Sequence, residues 1–221
     1  MKPWIELDRA TVPGGGILSL HQHDTELTIR IDGHELMGTR RHASEERLAE
    51  AALNEKTPKD ARVLIGGLGI GYTIRATLDR VGPRARVDVA ELVPAVVRWN
   101  RGILAPFAGR PLEDRRVHVI ERDVADILRE SKALYDAILL DTDNGPAALT
   151  VASNKSLYNA GGLAVAVKAL RPKGVLAVWS ASDEPSFTAR LQRCGFNVTI
   201  ERPAAHGTRG LRHFLWLAQR R

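Results

Sequence analysis

Apolar and polar positions along this chain follow two different grammars. Up to residue 43 they alternate. The stretch "GGGILSLHQHDTELTIRIDGHEL" holds two period-two segments, Leu18–His21 and Glu26–Ile31, followed by Asp32–Gly33, a strong hairpin-turn signal. This predicts a small antiparallel β appendage over residues 1–43 and a second unit over residues 44–221. A helix over Ser44–Lys56 opens that unit, with Ser44 as its N-cap.

From Arg62 short apolar runs alternate with helical patterns. The runs "RVLIGG", "ARVDVAE", "RVHVIER", "YDAILLD" and "GVLAVWS" read as buried strands. Between and after them, helices are predicted over Ile70–Val81, Pro94–Gly102, Val124–Ser131, Gly162–Leu170 (stopping at "RPKG") and Pro185–Cys194. Strands alternating with helices predict an α/β fold, a mainly parallel sheet with helices on both faces. "FNVTIER" and "RHFLWLAQ" have no helix between them, so they predict an antiparallel hairpin at the C-terminal edge.

Composition changes this picture little. The chain has 221 residues, 44% hydrophobic, with a formal net charge of +6. The basic residues are interleaved with acids, as in "LEDRRVHVIERD", so a solvated basic surface is favoured over nucleic-acid binding. The single cysteine, Cys194, excludes an intrachain disulfide and is expected to be a small buried residue. "MKPWIELDRA" does not read as a signal peptide, and no run approaches the about 18 apolar residues of a membrane span. The expected protein is soluble, cytoplasmic and without a membrane partner. His21 and His23 share a strand face but have no evident third ligand, so no metal is expected. Trp99, Trp179 and Trp216 fall in apolar elements and are expected in the core.

The candidate chemistry begins at "VLIGGLGIGYT", Val63–Thr73. A phosphate-binding P-loop needs lysine after its last glycine, where Tyr72 stands. A dinucleotide fingerprint needs glycine or alanine three residues after its second glycine, where Tyr72 or Ile74 stands. What remains is G-x-G-x-G, Gly67, Gly69 and Gly71, with Gly66 before it. It resembles the nucleoside loop of S-adenosylmethionine-type enzymes, although tight strand–helix packing alone also asks for glycine. Glu91 follows twenty positions beyond Gly71, at the end of the second strand, where a carboxylate can accept two ribose hydroxyls. Asp123, beside Val124, ends the third strand, where an acid can accept from an adenine amino group. The plainer reading of each acid is a helix cap. The fourth strand ends in "DTDNGP", so Asp141, Asp143 and Asn144 reach the same edge. Two carboxylates and an amide there suit a cationic amine substrate, and an Asx-turn is the plainer alternative.

In this order the motifs resemble those of the polyamine aminopropyltransferases, the spermidine synthases, over Leu27 to Leu191. "IDGHELM", "VLIGGLGIG", "AELVPAVV", "RDVADIL", "YDAILLDTDNGP" and "LYNAGGLAVAVKALRPKGVLAVW" carry the resemblance. It implies a Rossmann-like, methyltransferase-type sheet behind a small N-terminal β unit. It implies aminopropyl transfer from decarboxylated S-adenosylmethionine to an amine, with Glu91 on the ribose, Asp123 on the adenine, and Asp141 and Asp143 at the acceptor. A homodimer paired through the N-terminal hairpin is also implied.

The chain departs from the family pattern at several places. Gly69 stands where the family has an amine-binding aspartate, Val93 replaces the second acid of "EID", and Leu36 or Met37 stands near the family's glutamine. "RRHASEE" replaces a tyrosine–histidine pair, and Asp141-x-Asp143 shortens the acidic loop. Two alternatives follow. One is a methyltransferase using intact S-adenosylmethionine, its carboxylate paired with Arg40, Arg41 or Arg75. The other is a nucleoside-binding protein without turnover.

Overall fold

The computed structural model describes residues 3–142, 154–206 and 209–221, and the side chains of residues 154–155 and 205–211 are not described. Asp143 and Asn144 lie outside the described residues.

The N-terminal unit is an antiparallel sheet of four strands in sequential order: β1 (Ile5–Thr11), β2 (Ile17–His23), β3 (Glu26–Ile31) and β4 (His34–Gly38). The two segments read as alternating are β2 and β3. The strands on either side were not legible, because β1 keeps Ile5 and Leu7 exposed and so inverts the expected apolar-in pattern. The turn at Asp32–Gly33 forms as expected. Both residues have positive φ, 47° and 82°, which is what a two-residue hairpin turn requires. Asp32 Oδ1 also accepts from the Ile17 amide at 2.8 Å, tying the turn to β2.

Helix α1 (Ala43–Ala52) crosses to the second unit. Ser44 is not its N-cap. His42 holds that position without a side-chain cap, and Ser44 lies inside the helix, buried. Its hydroxyl instead meets Trp179 Nε1 at 3.1 Å and His213 Nδ1 at 2.8 Å.

Then come β5 (Arg62–Gly66), α2 (Tyr72–Arg80), β6 (Arg86–Ala90), α3 (Pro94–Arg101), β7 (Val117–Ile120), α4 (Val124–Glu130), β8 (Tyr135–Leu140), α5 (Asn154–Tyr158), α6 (Ala160–Ala169), β9 (Leu170–Ser180), α7 (Pro185–Arg193) and β10 (Phe196–Glu201). A short ribbon, β11 (Ala204–His206) and β12 (Arg209–Arg212), leads into β13 (Phe214–Arg220). Helix α6 stops ahead of "RPKG", as expected, and that segment itself belongs to β9, where Lys173 at φ 65° accompanies a register shift against β8.

Seven of these strands form one sheet in the order β10-β13-β9-β8-β5-β6-β7. Strands β9, β8, β5, β6 and β7 are parallel, and β13 runs antiparallel to both β9 and β10. The side-chain period of two divides the strands between two cores. Val63, Ile65, Ala137 and Leu139 pack on the side of α1, α2 and the N-terminal sheet. Leu64, Ile138 and Leu140 pack on the side of α4, α6 and α7. Strand order reverses between β5 and β8, so the loops after these strands diverge and leave a crevice at their carboxyl ends.

Trp99 and Trp216 are core residues, whereas Trp179 is half-buried at the end of β9. Cys194 is half-buried rather than buried. Among the described residues no helix is long and apolar enough to cross a membrane.

Candidate active site

The glycine turn between β5 and α2 is shaped by hydrogen bonds from neighbouring strands. The Gly67 amide donates to the Ala90 carbonyl at 2.9 Å, and the Leu68 amide donates to Glu91 Oε2 at 3.0 Å. Asn100 Nδ2 donates to the Gly69 carbonyl at 2.8 Å. Gly67 has φ 93°, and a Cβ there would fall 2.3 Å from the Asp141 carbonyl oxygen. The turn is therefore glycine for close backbone approach, the packing reason that sequence alone had left open. That reason also sets the wall of a cleft.

The carboxylates follow in strand order. Glu91, buried at 8% exposure, accepts from the Leu68 amide through one oxygen and from the Val93 amide at 2.8 Å through the other. It fixes the glycine turn and the entry to α3 while lining the cleft. Asp123 is the N-cap of α4, with Oδ1 accepting from the Ala125 amide at 2.8 Å, and it too lines the cleft beside Val124. The capping role is thus realised, with Oδ2 on the same half-buried side chain left over from it.

Asp141 follows β8. Its amide donates to the Gly66 carbonyl at 2.9 Å, and its Oδ2 accepts the Thr73 hydroxyl proton at 2.5 Å. Thr142 Oγ1 meets the buried Tyr158 hydroxyl at 2.8 Å.

One cleft gathers these groups. Gly67, Gly69, Glu91, Asp123, Val124, Asp141 and Thr142 line it from the parallel sheet. Gly66 lies directly behind, packed on Leu140 and Val124. The facing wall is apolar and comes from the N-terminal sheet: Leu18, Ile29, Ile31, Leu36 and Met37, with Val12. Sequence reading treated that sheet as an appendage and missed its part in the cleft. Its only signal was the alternation that puts Leu18, Leu20, Leu27, Ile29 and Ile31 on buried positions.

No family model matches the chain. A polyamine aminopropyltransferase of Mycobacterium tuberculosis is 30% identical over 184 residues, 79% of this chain and 34% of that protein. The chain is similar to polyamine aminopropyltransferases over most of its own length. Polyamine aminopropyltransferase 1 of Streptomyces coelicolor is 32% identical over 124 residues, 55% of this chain and 22% of that protein. The chain thus spans about a third or less of the length of these curated relatives. The solved structures that share its fold include two spermidine synthases. A spermidine synthase in complex with the transition-state analogue AdoDATO has a TM-score of 0.79 at 18% identity, covering 98% of this chain and 74% of the other. The Thermotoga maritima spermidine synthase has a TM-score of 0.76 at 17% identity, covering 98% and 72%.

Within this shared fold the departures acquire locations. At Gly69 a Cβ would meet Met37 Sδ at 3.0 Å, so a thioether covers the place of the family's aspartate. The arginines weighed for a methionine carboxylate are engaged elsewhere: Arg40 with Glu26, Arg41 with Glu35 and Arg75 with Asp79. None of the three lines the cleft. His21 contacts Ser19 at 2.9 Å and His23 packs on the Trp4 ring. Among the described residues no group of three or more metal-ligating side chains forms.

One acid beside the site had no sequence signal. Glu45, in the first turn of α1, is pushed well above the usual carboxylate range by burial first, then by the charges of Asp141 and Glu46. The neighbouring Tyr72 hydroxyl is pushed to about 12 by its burial and by the same two glutamates.

Proposed function

We propose that this protein is a transferase of the aminopropyl type, moving an aminopropyl group from decarboxylated S-adenosylmethionine to an amine acceptor. The observation that carries it is the convergence of the glycine turn, Glu91, Asp123 and Asp141 on one cleft at the reversal of strand order. In this reading Glu91 takes the two ribose hydroxyls and Asp123 the adenine amino group, both from positions that line the cleft. The donor carbon beside the sulfonium lies before Asp141.

The acceptor arrives mostly as an ammonium and must lose a proton before attack. Asp141 takes that proton. The nitrogen lone pair forms the new C–N bond, the C–S bond breaks, and its electron pair stays on sulfur, leaving a neutral thioether nucleoside. Asp143 is assigned to the acceptor's charge and Asn144 to the shape of the loop.

Methyl transfer is the second reading. The Met37 cover over Gly69 supports it, because a thioether rather than a carboxylate meets the place of the family's aspartate among the described residues. The engagement of Arg40, Arg41 and Arg75 away from the cleft favours the aminopropyl reading. We also propose a cytoplasmic setting. A homodimer is proposed through the N-terminal sheet, which leaves Trp4, Ile5, Leu7 and Ile17 exposed.

Glu91→Ala tests the nucleoside half. Losing charge-assisted bonds worth about 1.5–3 kcal/mol each should weaken 5′-methylthioadenosine binding at least about tenfold. Calorimetry that finds the affinity unchanged would put the ribose elsewhere. Incubation with decarboxylated or intact S-adenosylmethionine and a diamine then separates the two transfers, since only aminopropyl transfer releases 5′-methylthioadenosine.

A further inference from the structure

Asp141 is fixed part by part. Its main chain is held at the residue itself and at the next one. The Asp141 amide donates to the Gly66 carbonyl at 2.9 Å, and Thr142 Oγ1 meets the Tyr158 hydroxyl at 2.8 Å. Neither contact reaches the carboxylate. The Thr73 hydroxyl does, donating to Oδ2 at 2.5 Å. That contact comes from α2, the helix that follows the glycine turn, and it acts on a side chain that lines the cleft.

A helical threonine commonly turns its hydroxyl back to the carbonyl three or four residues earlier. Four residues before Thr73 is Gly69, whose carbonyl accepts from Asn100 Nδ2 at 2.8 Å. Thr73 is 3% exposed, so its hydroxyl needs a partner within the protein. Its Oγ1 also lies 3.4 Å from the Glu45 carbonyl, but a hydroxyl has one proton, and the shorter contact, to Asp141, takes it. Thr73 is the second residue of α2, and Gly71 at the N-cap supplies no side chain to that first turn. The Asp141 carboxylate stands beside it, where the helix backbone favours negative charge.

We propose that Thr73 is a positioning residue for the transfer, whose hydroxyl sets the plane of the Asp141 carboxylate and so the direction from which the acceptor's proton is taken. This rests on the aminopropyl-transfer reading given above. A carboxylate receives a proton along lone pairs in its own plane, so rotation about its last side-chain bond turns the base away from the acceptor nitrogen. That torsion is broad in aspartate, and a partner must fix it. A hydroxyl donating to Oδ2 fixes it, and also favours the ionised form, the one able to take a proton. The glycine turn that walls the cleft and the residue that aims the base thus belong to one helix start.

The test is the rate of 5′-methylthioadenosine release from decarboxylated S-adenosylmethionine and 1,4-diaminobutane. Thr73→Val keeps the shape of the side chain and removes the hydroxyl. It should lower kcat by about 10–100-fold, the scale of a misaimed catalytic group, with both KM values nearly unchanged. Its 5′-methylthioadenosine affinity should match wild type, which also shows that it folds. Thr73→Ser keeps the hydroxyl and should stay within about threefold of wild type. Thr73→Ala, set against Thr73→Ser, isolates the same hydroxyl in a smaller side chain, so the comparison holds even where Thr73→Val does not fold.

A double-mutant cycle separates aiming from packing. Thr73→Val made in the Asp141→Asn background should cost less than about twofold in kcat, because the base that Thr73 aims is gone. Three results would each leave Thr73 a packing residue of α2, with the transferase reading intact: a Thr73→Val enzyme with wild-type kcat, a loss that Thr73→Ser shares, or a loss undiminished in the Asp141→Asn background. If the wild type itself releases no 5′-methylthioadenosine, the aminopropyl reading fails and the Thr73 assignment falls with it.

Discussion

Asp141→Asn should reduce turnover by about 10²–10⁴-fold, the usual worth of a positioned general base, with nucleoside affinity unchanged. The asparagine keeps the volume of the side chain, and its amide oxygen can still accept from Thr73. What disappears is the ability to receive a proton from the acceptor nitrogen. The site is well suited to report this alone. The Asp141 amide is held by the Gly66 carbonyl at 2.9 Å and its carboxylate by Thr73 at 2.5 Å, so the backbone and one oxygen have little freedom to compensate. Release of 5′-methylthioadenosine from decarboxylated S-adenosylmethionine and a diamine gives the rate. A purified variant that turns over normally would reduce Asp141 to a residue that merely ends a strand.

Gly67→Ala should cost the fold about 2–6 kcal/mol. About 1–3 kcal/mol comes from forcing an L side chain to a φ of 93°, and about 1–3 kcal/mol from overpacking. For a domain of this size each kcal/mol lowers the melting temperature by about 2–4 °C, so a loss of about 4–24 °C is expected. The clash is with the Asp141 carbonyl oxygen at 2.3 Å, so any relief must move the strand end that carries Asp141. Folded protein recovered at low temperature should therefore also be slow. Thermal melts and rates on one preparation check both parts, and a variant as stable as wild type would show that the turn relaxes without strain.

These two effects explain what the sequence made legible. Glycines at a strand-to-helix turn and acids at successive strand ends are local signals, and local spacing predicts where a parallel sheet will present them. The Asp32–Gly33 turn was legible for the same reason, since two adjacent residues of the right type suffice. Glu45 was not legible. The burial that pushes its carboxyl up, and the charge of Asp141, 96 positions away, come from the fold and leave no mark in the residues around it. Ser44 looked like a helix cap because serine before a helical run usually is one. Its partners Trp179 and His213 come from β9 and the approach to β13, far along the chain, and they draw it into the helix interior instead. Asp123 was ambiguous in sequence between a cap and a ligand group. The structure makes it a cap and leaves its second oxygen at the cleft.

The cleft has walls with separate origins. Its polar groups hang from the ends of parallel strands, while Leu18, Ile29, Ile31, Leu36 and Met37 belong to an antiparallel sheet with its own hydrogen-bond ladder. Substitution at those five positions can change the width and polarity of the opening without shifting the register that holds Glu91, Asp123 and Asp141. Reaction and selectivity are therefore open to independent variation in descendants of this chain. A library confined to the five positions would explore new ligands at little risk to the chemistry.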